Sequence, residues 1–267
     1  MTESETRSSA GNVVPRERHV PASTVTSTAS VPPPKDVYPR NKLWRKLLRM
    51  RISNRKLSTR NLDRLCREFA TDELTLVVHS EDVDYAPYFP NAYTVTKRKD
   101  IPADLHVDDH YLEMSKIPSE SYPVVLCTGL LEHVPDPFLL IEEFRRILKP
   151  GGRLILGASA VFSFHEAPNN YFHFTPWGFR LLFRNFSRIE MLRGASQPFE
   201  TIGILLQRVY LQCDIFPLMR PVVALMARMM RFFDLFVVAQ YNTVSPMDRS
   251  TLTDSMLPSN MHAVAVK

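Results

Sequence analysis

The chain has 267 residues, 45% of them hydrophobic, enough for one large cored domain or two small ones. Its formal charge of +5 is mildly basic and does not by itself mark a nucleic-acid binder. The three cysteines, Cys66, Cys127 and Cys213, stand far apart with no CxxC pair, so neither a disulfide framework nor a cysteine zinc site is indicated.

The first 20 residues hold no apolar core of signal-peptide length, and a cytoplasmic, reducing setting is the expectation. Residues 1–38 are rich in Ser, Thr, Pro and charge and read as a disordered tail. A basic helical segment follows over 39–70. Leu43, Trp44, Leu47 and Leu48 recur at helical spacing among Lys42, Arg45, Lys46, Arg49 and Arg51, and Ser58 or Thr59 caps a second helix carrying Leu62, Leu65 and Phe69. Such a segment either packs on the domain with its basic face in water or lies on an anionic membrane surface. With Trp44 as its only stacking residue, it is not expected to bind nucleic acid.

From 71 to 267 the pattern becomes that of an α/β domain. Residues 73–78 (ELTLVV), 92–96 (AYTVT) and 105–107 read as strands, and Val124, Val125 and Leu126 as a strand buried on both faces. Asp136-Pro137 opens a helix, with an acceptor at the cap and proline in the first turn. Leu140, Ile141, Phe144, Ile147 and Leu148 line one side of it, and Glu142 and Arg146 are placed for an ion pair four apart. Lys149-Pro150-Gly151-Gly152 ends the helix and 153–158 is the next strand, completing a βαβ unit. Thr175-Pro176 starts another helix, 187–192 a strand, and 262–266 (HAVAV) the last strand. Between them, 202–241 is an apolar stretch broken by Arg208, Asp214, Pro217, Arg220, Pro221, Arg228, Arg231 and Asp234, too interrupted for a membrane span of ~20 residues. It reads as two or three inserted amphipathic helices that pack in the core or serve as a lid, a homodimer surface or a membrane-facing patch.

The strand, LEHV, Asp-Pro, helix and LKPGG over 124–152, followed by FHEAPNNYFHFTPWGFRLLF over 164–183, resemble class I S-adenosylmethionine-dependent methyltransferases, nearest to the type 11 methyltransferase domain. The resemblance covers about residues 71–190 and the last strand, 261–267. It implies a three-layer Rossmann-like fold, a mostly parallel sheet with an antiparallel last strand. It also implies S-adenosylmethionine as cofactor, bound at Val78, His79, Ser80, Asp108, Cys127 and Thr128, with Asp108 toward the adenine and Thr128 toward the methionine part.

Three features depart from the family pattern. Where the family has a glycine-rich turn after the first strand, this chain has His79-Ser80-Glu81-Asp82, and no glycine occurs between Gly11 and Gly129. Where an acidic residue would hold the ribose hydroxyls after the second strand, Lys97-Arg98-Lys99 stands, with Asp100 a few residues late. The loop 164–183 has Asn170 and His173 where related sequences often carry Asp and Arg.

Methyl transfer asks mainly for alignment and exclusion of water, with a base where the acceptor must lose a proton. The strand ends gather Cys127, Thr128, Glu132, His133 and the loop after Ala158 around one crevice. His165 is the first candidate base and His133 the second; no metal ligands are assigned. Three functions follow: a methyltransferase of unknown acceptor with a degenerate cofactor loop, a cofactor-less relative acting as a binding or scaffolding partner, or a peripheral membrane protein using the basic helix and the apolar insertion.

Overall fold

The computed structural model describes residues 56–79, 84–108, 111–241 and 255–267. The tail at 1–38, the basic helix before Lys56 and Ser80 lie outside the described residues. The elements run α1 (Thr59–Glu68), β1 (Thr75–Val78), β2 (Ala92–Thr96), β3 (Leu105–His106), β4 (Tyr122–Thr128), α2 (Pro137–Ile147), β5 (Leu148–Ser159), α3 (Pro176–Leu181), β6 (Arg188–Gly194), α4 (Pro198–Gln212), α5 (Arg220–Met229) and β7 (Asn260–Val266). Short 3-10 turns cover Leu112–Lys116, Leu131–His133 and Met230–Phe236.

The seven strands form one sheet in the order β3-β2-β1-β4-β5-β7-β6. Strands β1 to β5 pair in parallel, and β7 enters antiparallel between β5 and β6. This is the α/β architecture with an antiparallel last strand that the sequence implied. Because the central strands are buried on both sides, alternate residues feed two cores. Leu76, Val78, Val125, Cys127, Leu154 and Leu156 face Ile141, Phe144 and Ile147 of α2. Val77, Val124, Leu126, Ile155 and Val264 face Leu62, Leu65 and Cys66 of α1.

Helix α2 starts as its sequence dictates, with the Leu139 N–H donating to Asp136 Oδ1 at 3.0 Å. The expected Glu142–Arg146 pair does not form. Arg145 donates to Glu142 at 2.8 Å and Arg146 to Glu143 at 2.9 Å, each three residues apart. Arg146 is drawn away because its guanidinium also reaches the carbonyls of Ile117 at 2.9 Å and Met114 at 3.2 Å. Strand β5 begins five residues earlier than 153, at Leu148, which pairs with Tyr122. The chain turns there at Gly152, where a Cβ would sit 2.9 Å from the carbonyls of both Lys149 and Pro123.

The 202–241 stretch forms most of α4, all of α5 and the turn Met230–Phe236. Its core contribution is small, with Ile204 and Ala227 packing on Leu57. Gly203 lets α4 approach α5, since a Cβ there would meet the Ala227 carbonyl at 2.5 Å. Gln197 gives α4 no side-chain cap; the Asp234 carboxylate accepts from the Phe199 and Glu200 N–H groups instead, at 2.8 Å each. Leu218, Leu225, Phe233, Leu235 and Phe236 remain exposed. No helix among the described residues is long and apolar enough to cross a membrane.

Candidate functional site

The strand order reverses direction between β1 and β4, and in open parallel sheets that is where a crevice forms beyond the strand carboxyl ends. A cleft of about 440 Å³ lies there, lined by His79 after β1, Lys97 and Arg98 after β2, Thr128 and Gly129 at the end of β4, Ser159 at the end of β5, and Glu132, His133, His165, Glu166 and Arg208. Residues distant in sequence thus meet around one space.

Of the residues singled out from sequence, His79, Thr128, His133 and His165 line this cleft. The side chains of Val78 and Cys127 do not; both are fully buried in the α2-side core, as the strand alternation requires. Asp108 follows β3 and is not among the lining residues. Asp100 is bound to Arg98 at 2.7 Å, and that bond holds its carboxyl below the ordinary carboxylate range.

His79 adopts a left-handed backbone, φ 48°. The first step after β1 therefore takes the conformation a glycine turn would supply, at a cost of about 1 kcal/mol for a residue with a Cβ. Its ring is fixed by a 2.9 Å hydrogen bond between Nδ1 and the Tyr111 hydroxyl, and its N–H donates to the Val95 carbonyl at 3.0 Å. Gly129 also has positive φ, 67°, with open space where a Cβ would project. Lys97 at the end of β2 lies 3.9 Å from the carboxylate of Glu166.

The opposite end of the cleft is built by the turn 130–134 and the loop 160–174. The Glu132 carbonyl accepts from the Tyr171 N–H at 2.7 Å, pinning the loop on the turn. Glu132 itself is buried; its Oε1 accepts from the Ser159 hydroxyl at 2.6 Å, and its Oε2 is without a partner among the described residues. His133 and His165 meet edge to face with ring centroids 4.7 Å apart. His133 Nδ1–H donates to the Asn169 carbonyl at 2.5 Å, and His165 Nδ1–H to the Ser163 carbonyl at 2.9 Å. Burial holds the His165 imidazole below its ordinary pKa, so the ring is neutral and its Nε2 carries the lone pair. Arg208 of α4 donates to the Ser163 hydroxyl at 2.9 Å and lies over the Phe162 ring.

Sequence reasoning placed Glu132 at the crevice without giving it a task, and it missed Ser159 and Arg208. Arg208 lies 45 residues from Ser163 and nothing local marks it. Ser159 was legible in principle, as the last residue of a strand whose carboxyl end faces the crevice.

Residues 66–156 match the family model described as "Methyltransferase domain". Among curated proteins, the chain is 34% identical over 70 residues to the ubiquinone biosynthesis O-methyltransferase of Xanthomonas oryzae pv. oryzae, covering 25% of this chain and 29% of that protein. It is 42% identical over 50 residues to the same-named enzyme of Haemophilus ducreyi, covering 19% and 21%. The chain thus spans less than a third of the length of these curated relatives. Among solved structures, a putative methyltransferase from Bacillus halodurans aligns with TM-score 0.47 and 13% identity, over 77% of this chain and 98% of that one. A SAM-dependent methyltransferase from Archaeoglobus fulgidus aligns with TM-score 0.47 and 14% identity, over 84% and 98%. The matched segment supplies β1 to β4, α2 and most of β5, the elements that carry much of the cleft, and over that segment the chain is similar to methyltransferase domains.

Proposed function

We propose that this chain transfers a methyl group from S-adenosylmethionine to an oxygen acceptor bound in the cleft. The observation that carries the reading is the cleft at the carboxyl ends of β1 and β4, entered by a left-handed His79 and an open Gly129. These two positions fit a cofactor that needs close backbone approach. The cofactor, when bound, supplies a methyl group already activated on a sulfonium. The ribose hydroxyls need an acceptor, which Lys97 cannot be. Glu166, brought to the same end of the cleft by its loop, is the carboxylate available there among the described residues. At the other end, His165 is neutral with its Nε2 lone pair available, and takes the proton of the acceptor hydroxyl; His133 packs against it and orients it. The loop 160–174 limits access of water. The O-methyltransferase names of the matched relatives support oxygen as the acceptor atom.

Lys97 also favours a second reading, a degenerate cofactor site in a protein that acts as a binding or scaffolding partner. A missing ionised hydrogen-bond partner costs about 1.5–3 kcal/mol, roughly 10- to 150-fold in affinity. Calorimetric titration of the purified chain with S-adenosylhomocysteine decides between them. The expected result is a one-to-one complex weaker than low micromolar, loosened about tenfold further by Glu166→Ala. No heat of binding at millimolar ligand would leave the scaffolding reading in place.

A further inference from the structure

We propose that Glu132, His133 and His165 form a binding site for a divalent transition-metal ion of the zinc type. One donor atom from each of the three lies within 4.8 Å of those of the other two. Both imidazoles give their Nδ1–H to a backbone carbonyl, Asn169 for His133 and Ser163 for His165. That bond fixes the tautomer and turns each Nε2 into a lone-pair donor, the arrangement in which metal-ligating histidines are held.

The carboxyl group is an independent pointer. Glu132 is 2% exposed, and its Oε1 is already oriented by the Ser159 hydroxyl. Its Oε2 has no partner among the described residues. A buried carboxyl oxygen left without a donor is costly, and a cation held jointly with the two imidazoles removes that cost. The donor set is matched by its surroundings: the Glu132 carbonyl ties down the loop that carries His165, so the three ligands come from two segments already fastened together.

Two imidazole nitrogens and one carboxylate oxygen suit zinc or a neighbouring first-row ion better than magnesium or calcium, which favour all-oxygen shells. Metal–donor bonds of about 2.0–2.2 Å place donors roughly 3–3.5 Å apart, so the side chains close by at most about 1–2 Å on binding. All three residues line the cleft, and three protein ligands would leave a fourth coordination position for a ligand from it. Held as a ligand through Nε2, His165 would not serve as the base, and the ion would supply Lewis-acid polarisation of an acceptor hydroxyl in its place. The ion site stands whether or not S-adenosylmethionine binds.

The test uses the tag-free full chain, stripped with EDTA, mixed with zinc chloride and passed through a desalting column before elemental analysis. About one zinc per chain is expected, with a raised melting temperature. Cobalt(II) in place of zinc should give visible absorption of a nitrogen- and oxygen-ligated ion. His165→Ala and Glu132→Gln, the second preserving shape and the Ser159 contact, should each lose at least tenfold in zinc affinity while keeping the wild-type circular dichroism. His106→Ala, an exposed histidine on β3, should retain the zinc. Failure of the wild type to hold zinc would overturn the site, as would equal retention in His165→Ala and Glu132→Gln. Running the S-adenosylhomocysteine titration in parallel separates the two conclusions: zinc binding without S-adenosylhomocysteine binding supports the ion site alone, and S-adenosylhomocysteine binding without zinc binding removes it alone.

Discussion

Individual side chains in this protein are tuned chiefly by burial. His262 on β7 is fully buried, and desolvation, with smaller contributions from Arg193 and Arg64, lowers its pKa to about 3. An unfolded histidine titrates near 6.5. Between these values the unfolded chain binds one more proton than the folded chain, so stability declines as pH drops from about 6.5 toward 3, by up to about 1.4 kcal/mol per pH unit. His165 and His173 are also held low by burial and act in the same direction. The contribution of His262 is therefore the difference between wild type and His262→Leu, whose urea stability should depend less steeply on pH between 6.5 and 4.5. Its Nε2 lacks a partner among the described residues, so the leucine variant should lose little stability at pH 8. The cysteines follow the same logic. Cys66 is pushed up to about 12, mainly by desolvation, and Cys127 is fully buried, whereas Cys213 is exposed. A thiol reagent at pH 8 should label Cys213 quickly and the other two only after denaturation.

At the scale of elements, the helices after β6 hold one another by contacts with no counterpart in local sequence. Helix α4 is capped by Asp234 from the turn Met230–Phe236, and its Gly203 packs directly against the α5 backbone at Ala227. Asp234→Ala should cost about 1 kcal/mol, the usual worth of an N-cap, read from urea denaturation. Gly203→Ala should cost about 1–3 kcal/mol, because the Ala227 carbonyl it meets belongs to a helix backbone and cannot rotate away. Since Arg208 rides on α4 and donates to Ser163, the same substitution should raise the exchange rate of amides in the loop 160–174. The contrast with α2 explains what could be read beforehand. Asp136, Pro137 and the apolar spacing of α2 are signals within a dozen residues, and β4–α2–β5 was legible for that reason. The cap of α4 comes from more than 30 residues away, and β3 is only two residues long, Leu105–His106. Neither leaves a periodic trace.

Over the whole molecule, the sheet was legible because strands buried on both faces are largely apolar along their whole length, as the parallel Thr75–Val78 and Tyr122–Thr128 and the antiparallel Asn260–Val266 are. The site was legible only as a place. Topology put the crevice beyond β1 and β4; that His79 adopts the left-handed form there, held by Tyr111 and Val95, leaves no trace in the residue type. Which strand residues point into a crevice depends on register; hence Val78 and Cys127 went to the core while Thr128 lines the cleft.

The position of β7 bears on how the protein comes to be made. Ribosomal synthesis delivers β1 through β6 first, yet among the described residues β6 has hydrogen-bonded sheet contact only through β7, and β7 covers the edge of β5. Until Asn260–Val266 emerges, the nascent chain carries an open, apolar strand edge on β5 and an unattached β6. Unpaired edges of that kind recruit other chains, so the interval is the time of greatest hazard for this polypeptide. Translation stalled or terminated just before residue 260 should yield aggregated product that depends on chaperones, while the same chain extended by seven residues recovers as soluble protein.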